Sequence, residues 1–148
     1  MLKRLLSSQN DPVMTLLRLT LGIVMFPHGA QKMLGWFGGH GFSGTMGFFT
    51  QQMGIPAFFA FLAILAEFAG ALGLITGFLT RVAAFGIASV MAVAIFAVHF
   101  QHGFFMNWNA NQKGEGFEYH LLALGIAVAI MIRGGGAFSI DRKVLEKL

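Results

Sequence analysis

Four long apolar stretches, nearly free of charge, occupy most of this 148-residue chain. They cover about 12–32, 56–80, 81–102 and 117–133. Each holds about 17 to 25 residues. At 1.5 Å per residue that is enough for a helix to cross a hydrocarbon layer of about 30 Å, the last only just. Charged residues make up 11% of the chain, against roughly 25% in soluble domains, and cannot coat a water-soluble surface. In lipid, with no strand alternation in view, the backbone must satisfy itself within helices. The expectation is an all-α polytopic membrane protein: one domain over residues 1–148, a four-helix transmembrane bundle with short interfacial helices. Cysteine is absent, which removes thiol nucleophiles, disulfides and thiolate-held iron–sulfur sites. The basic residues sit at the ends of apolar runs rather than on one face, so nucleic acid is not an expected partner. The lipid bilayer is.

The breaks between the stretches carry turn chemistry. Asp11-Pro12 is an N-cap followed by a proline at the first helical position, and Pro27 predicts a kink further along. Ile55-Pro56 opens the second stretch and Gly134-Gly135-Gly136 closes the fourth. With both termini on one side, Lys3, Arg4, Arg18, Arg81, Arg133, Arg142, Lys143 and Lys147 share it, against Lys32 and Lys113 opposite. That asymmetry predicts cytoplasmic termini. The first stretch reads as an uncleaved span, since no A-x-A-like cleavage site follows it. Residues 42–53 are too short and polar to span and are expected in the interface. Residues 139–148 read as a basic amphipathic helix with Ile140, Val144, Leu145 and Leu148 near one face. Trp36, Trp108 and Tyr119 are expected in the interfacial aromatic belt. Ala66, Gly70, Gly73 and Gly77 form a small-residue stripe, and Gly22 and Gly29 a second, both suited to close helix contact.

Ionisable residues inside a span are costly and mark candidate sites. From the helical rise, His28, Glu67 and His99 lie about 24, 20 and 27 Å from the cytoplasmic edge, and Arg18 about 9 Å. Helical side chains lean toward their own N-terminus, so the first and third spans aim His28 and His99 toward Glu67. These three form the expected polar cluster. It serves as a structural clasp, a proton-handling site or a contact for a quinone head group. Arg18 leans away from Glu67 and is expected to snorkel to the cytoplasmic headgroups. Lys32, His102, Glu118 and His120 are secondary candidates. Lys32 and His102 are placed at headgroup level, and Glu118 at the start of the fourth helix, where it complements the dipole. Glu118 and His120, two residues apart, cannot both face the bundle. No metal site is expected: two histidines and a carboxylate are a known ligand set, but these come from three helices without a local motif.

Several of these residues also carry a family resemblance. Leu17-Arg18-Leu19 through Leu21-Gly22, His28-Gly29 and Gln31-Lys32, then Glu67 with Gly70, Gly73 and Leu79-Thr80-Arg81, resemble the DoxX family. So do His99 with Gly103-Phe104-Phe105, Gly116-Phe117-Glu118-Tyr119 and Ser139-Ile140-Asp141. The resemblance spans nearly the whole chain through order and spacing rather than through any one motif. It implies a small bacterial inner-membrane protein, a membrane subunit of an oxidoreductase system linked to quinone. The redox centre would then lie on a peripheral oxidoreductase partner, because this chain carries no evident cofactor motif. A small permease or proton pathway, and a membrane scaffold without chemistry, are the alternatives. Homo-oligomers are compatible with all three.

Overall fold

The computed structural model describes residues 2–147, and every described element is helical. After α1 (Leu2–Leu6), the long helix α2 (Pro12–Leu34) starts where Asp11 accepts hydrogen bonds from the Val13 and Met14 amides, with Pro12 at its first position. It stops at Gly35, whose φ of 75° only glycine adopts freely. The connection that follows carries α3 (Gly41–Gly47) and a π-helical turn, Phe48–Gln52. Next come α4 (Ala57–Thr76) and α5 (Thr80–Ala94), the latter extended by a π-helical turn over Ile95–His99 and a 3₁₀ turn over Phe100–His102. A long loop leads to α6 (Glu118–Arg133), and α7 (Ile140–Leu145) closes the described chain.

Helices α2, α4, α5 and α6 pack in a ring, α2 on α4, α4 on α5, α5 on α6 and α6 on α2. Met14, Leu21, Met25, Leu74, Ile87, Met91, Ala127 and Ile130 fill the centre, while Val13, Ile23, Phe58, Phe85, Phe96 and Leu122 point outward. This apolar-outside arrangement suits lipid. Three helices, Pro12–Leu34, Ala57–Thr76 and Thr80–His102, are long and apolar enough to cross a membrane. With 16 residues, α6 is shorter and rises about 24 Å.

The glycine stripes lie at helix contacts. A Cβ on Gly29 would come within 2.6 Å of the Phe68 Cα, and one on Gly22 within 3.0 Å of Ile75 and Leu74. Gly73 has the Phe78 carbonyl oxygen at 2.9 Å from such a position and the Ala83 Cβ at 3.2 Å. Gly77 has a different role: it caps α4 at a φ of 76°.

Both ends of the described chain meet at one end of the bundle, called proximal below. The Ala137 amide donates to the Asp11 carbonyl, Gln9 to Arg133 and Asp141 to Gly77. One expectation is corrected here. Arg18 does not snorkel. Only 1% exposed, its guanidinium donates to the carbonyls of Leu74, Ile75, Gly135 and Phe138. The last turn of α4 leaves carbonyls without helical partners, and a planar fork of five donors can bind several at once. The C-terminal helix is held to the bundle by polar groups. Ile140 and Val144 are exposed, whereas Ser139 and Asp141 are buried. The Asp141 carboxylate accepts from the Leu79 and Thr80 amides and the Thr80 hydroxyl, capping α5. Leu148, the last residue of that expected face, lies outside the described residues.

Candidate functional site

Helices α4 and α5 border a cleft of about 1100 Å³ that runs from the distal end, away from the termini, to the Phe78–Leu79 turn. Small residues on both helices shape it: Ala63, Ala66, Ala69 and Gly70 on α4, Gly86 and Ala94 on α5. Leu62, Leu65, Leu72, Val82, Phe85 and Val93 make its walls apolar. The two hydroxyls along its length, Thr76 and Ser89, are bonded to carbonyls of their own helices, Leu72 and Phe85. Two π-helical turns border its distal end, one contributing Phe48 and Phe49, the other His99. Such widened turns displace a side chain from the regular helical register and recur at functional sites.

The polar groups of the cleft gather distally: His28, Lys32, Glu67, His99, Glu115, Tyr119 and His120 all line it. Glu67 is 3% exposed. Its Oε2 lies 2.6 Å from the Nζ of Lys32, whose side chain is 26% exposed. Among the described residues, the hydrogen-bond partner of Glu67 is therefore Lys32 and neither histidine. The flexible four-carbon stem explains the difference from the headgroup level expected for Lys32. One helical turn beyond His28, the lysine reaches back along α2 to a buried carboxylate, which otherwise would bear an uncompensated desolvation cost.

The histidines are organised by ring contacts. His28, exposed on its helix, has its ring centroid 6.3 Å from that of Tyr119. Tyr119 in turn stands edge-on to His120 at 5.4 Å, and His120 lies 4.1 Å from His99. Tyr119 thus sits between imidazoles within the cleft rather than in the expected aromatic belt, and its hydroxyl reaches the Met25 sulfur at 3.5 Å. Trp36 and Trp108 are exposed. His99 is anchored through Nδ1, 2.8 Å from the Glu115 carbonyl oxygen. His120 is 7% exposed, and its buried Nδ1 has no hydrogen-bond partner among the described residues.

The remaining candidates serve the distal loop. Glu118 accepts the Met106 amide and Glu115 the Asn107 amide, so these carboxylates fold the loop over residues 103–117. Glu118 and His120 take different surroundings, loop and bundle. His102 is half-buried against Gly114, where a Cβ would come within 2.5 Å of its Nε2. Arg18 lies at the proximal end, bonded to backbone carbonyls, and takes no part in the cleft. Among the described residues no group of three or more His, Asp or Glu is arranged to hold a metal ion. His120 is the residue that sequence reasoning ranks too low. Its signal is present, an imidazole in the first turn of an apolar helix, but its partner His99 stands on a π-helical turn whose register a regular helix does not predict.

Comparison with known proteins gives two likenesses. The DoxX family pattern matches residues 13–100. The inner membrane protein YqjF of Escherichia coli K12 is 34% identical over 113 residues, covering 76% of this chain and 82% of the relative. No solved structure matches.

Proposed function

We propose a function from one premise: the chain belongs to the DoxX family. In this reading it is a membrane subunit of an oxidoreductase system in the bacterial inner membrane, the compartment named for its relative, and its cleft receives a quinone. The observation that carries the reading is the division of the cleft. Its walls are apolar along α4 and α5, and its charged and imidazole groups are confined to the distal end. A ligand with a polar head and a long apolar chain matches that division: the head among His28, Glu67 and His99, the chain along the two helices. Pockets of this kind are mostly apolar, with a few polar groups that fix orientation.

The quinone, when bound, supplies a carrier that takes up two electrons and two protons. Glu67, buried, and Lys32, a quarter exposed, form an ion pair beside the head-group position. His28 and His99 add imidazoles at the same end of the cleft. Leu65, Leu72 and Phe85 exclude water from the rest of the cleft. Electrons come from a peripheral partner that holds the redox centre.

The test is purification in mild detergent followed by extraction and quantification of bound quinone. Wild-type protein is expected to retain close to one quinone per chain. Ala69→Phe, which places a bulky ring on an exposed lining position in the apolar arm, is expected to lose it. A wild-type protein without quinone, which alone moves a solute into liposomes, would point to the permease reading instead.

A further inference from the structure

A second recess, of about 320 Å³, lies at the proximal end, where the C-terminal segment meets the start of α2. Asn10, Ala137, Phe138, Arg142, Lys143 and Glu146 line it. Polar ties hold its two sides together. The Ala137 amide donates to the Asp11 carbonyl, and the buried Asp141 fastens α7 to the first turn of α5. Those ties use Ser139 and Asp141 on the inner side of the segment, and leave Arg142 and Lys143 at the recess. Two cations there face one carboxylate, and the carboxylate is already engaged: Glu146 accepts from Nε of Arg142 at 2.9 Å. Lys143 and Asn10 are exposed, and neither side chain has a hydrogen-bond partner among the described residues. The recess thus offers a net positive charge with unused donors from Lys143, Asn10 and the terminal nitrogens of Arg142.

Its depth and its rim narrow the ligand. Asn10 stands two residues before Pro12, where a helix long and apolar enough to cross a membrane begins. The recess therefore sits at the edge of a span, the level of lipid phosphates. Around it large apolar side chains face outward: Phe138, 76% exposed, with Ile140 and Val144. Apolar groups beside cations suit the boundary between headgroups and acyl chains. A free phosphate would use the cations and leave Phe138 and Ile140 uncovered. We propose that this recess binds the phosphodiester of an anionic phospholipid, whose acyl chains cover Phe138, Ile140 and Val144. Lys143 and Arg142 meet the phosphate charge, and the Asn10 amide donates to a phosphate oxygen. The site is separate from the α4–α5 cleft and stands whether or not that cleft receives a quinone.

The experiment uses the full chain, stripped of lipid in detergent and given an equimolar mixture of dioleoylphosphatidylglycerol and dioleoylphosphatidylcholine. Retained lipid is counted by native mass spectrometry. Wild-type protein is expected to favour the anionic lipid by roughly tenfold, and Lys143→Gln to lower that preference by roughly fivefold, the loss of one cation beside a lipid phosphate. Lys143 is exposed, so the fold does not depend on it. Lys113→Gln, an exposed change in the distal loop, should leave the preference as it was. Thermal melting separates the two sources of phosphate: phosphatidylglycerol is expected to raise the melting temperature and inorganic phosphate to leave it in place. Equal retention of the two lipids by wild-type protein would overturn the proposal. So would a preference that survives Lys143→Gln, an equal loss in Lys113→Gln, or a stabilisation by inorganic phosphate as large as by the lipid.

Discussion

Lys32 and Glu67 illustrate how a membrane protein tolerates a carboxylate below its surface. The pair is close, 2.6 Å, but unequal, with the carboxylate buried and the ammonium a quarter exposed. The lysine therefore stabilises Glu67 at less desolvation cost than a fully buried partner would incur. Removing only the lysine strands the carboxylate. Lys32→Met is expected to lower unfolding stability in detergent by about 1–3 kcal/mol, discounted for the exposure of the lysine. The double variant Lys32→Met/Glu67→Leu should recover most of that loss, since an apolar pair leaves no charge behind. A thermal-melt double-mutant cycle checks this, and strictly additive losses would show that the two side chains do not depend on each other. Arg18 follows the same logic with another kind of partner: its buried guanidinium donates to backbone carbonyls.

Helices here depend on close approach at glycine. On the α4 face that meets α5, Gly73 leaves no room for a side chain, because a backbone oxygen lies 2.9 Å from the position that a Cβ would take. Gly73→Leu is expected to destabilise the protein by about 1–3 kcal/mol or more through overpacking. Ile75→Leu, a volume-conserving change two residues on, should cost less than about 1.5 kcal/mol. Detergent melting temperatures compare them, and equal losses would place Gly73 outside the interface. The ends of these helices are tied by polar side chains rather than by length. Arg18 closes the last turn of α4, Asp141 the first turn of α5, and Arg81 reaches the Met131 carbonyl in the last turn of α6. The three ties also fix which helices are neighbours.

Taken whole, the bundle has a proximal end of ties and a cleft along α4 and α5 whose charged and imidazole groups are distal. Both ends of the described chain lie proximal, in agreement with an even number of crossings, and most of the lysine and arginine lies there too. Two of those residues, Arg18 and Arg81, are bound to carbonyls of the fold and owe their place to packing as much as to the membrane. Four of the others, Arg133, Arg142, Lys143 and Lys147, by themselves outnumber Lys113 and Lys32. On the positive-inside rule the proximal end is expected in the cytoplasm. A reporter active only in the periplasm should be silent when fused after Leu148 and active when inserted at His40, which is exposed. The opposite pattern would invert the protein and turn the cleft toward the cytoplasm.

The helical class, the apolar stretches and most helix starts and stops follow from local chemistry: hydropathy over a span, an Asp-Pro cap, glycines at left-handed stops. His28, Glu67 and His99 were legible as candidates because an ionisable group inside a span is costly, and all three line one cleft. The partners were not. Which nitrogen reaches Glu67 depends on the length and bend of a lysine stem, and the pairing of His99 with His120 on a π-helical turn that shifts the register. Arg18 and Asp141 were hidden for a further reason. A charge near a span end reads locally as a snorkelling or surface group, and only the packing of α4, α5 and the C-terminal segment against one another supplies the backbone donors and acceptors that draw both residues inside.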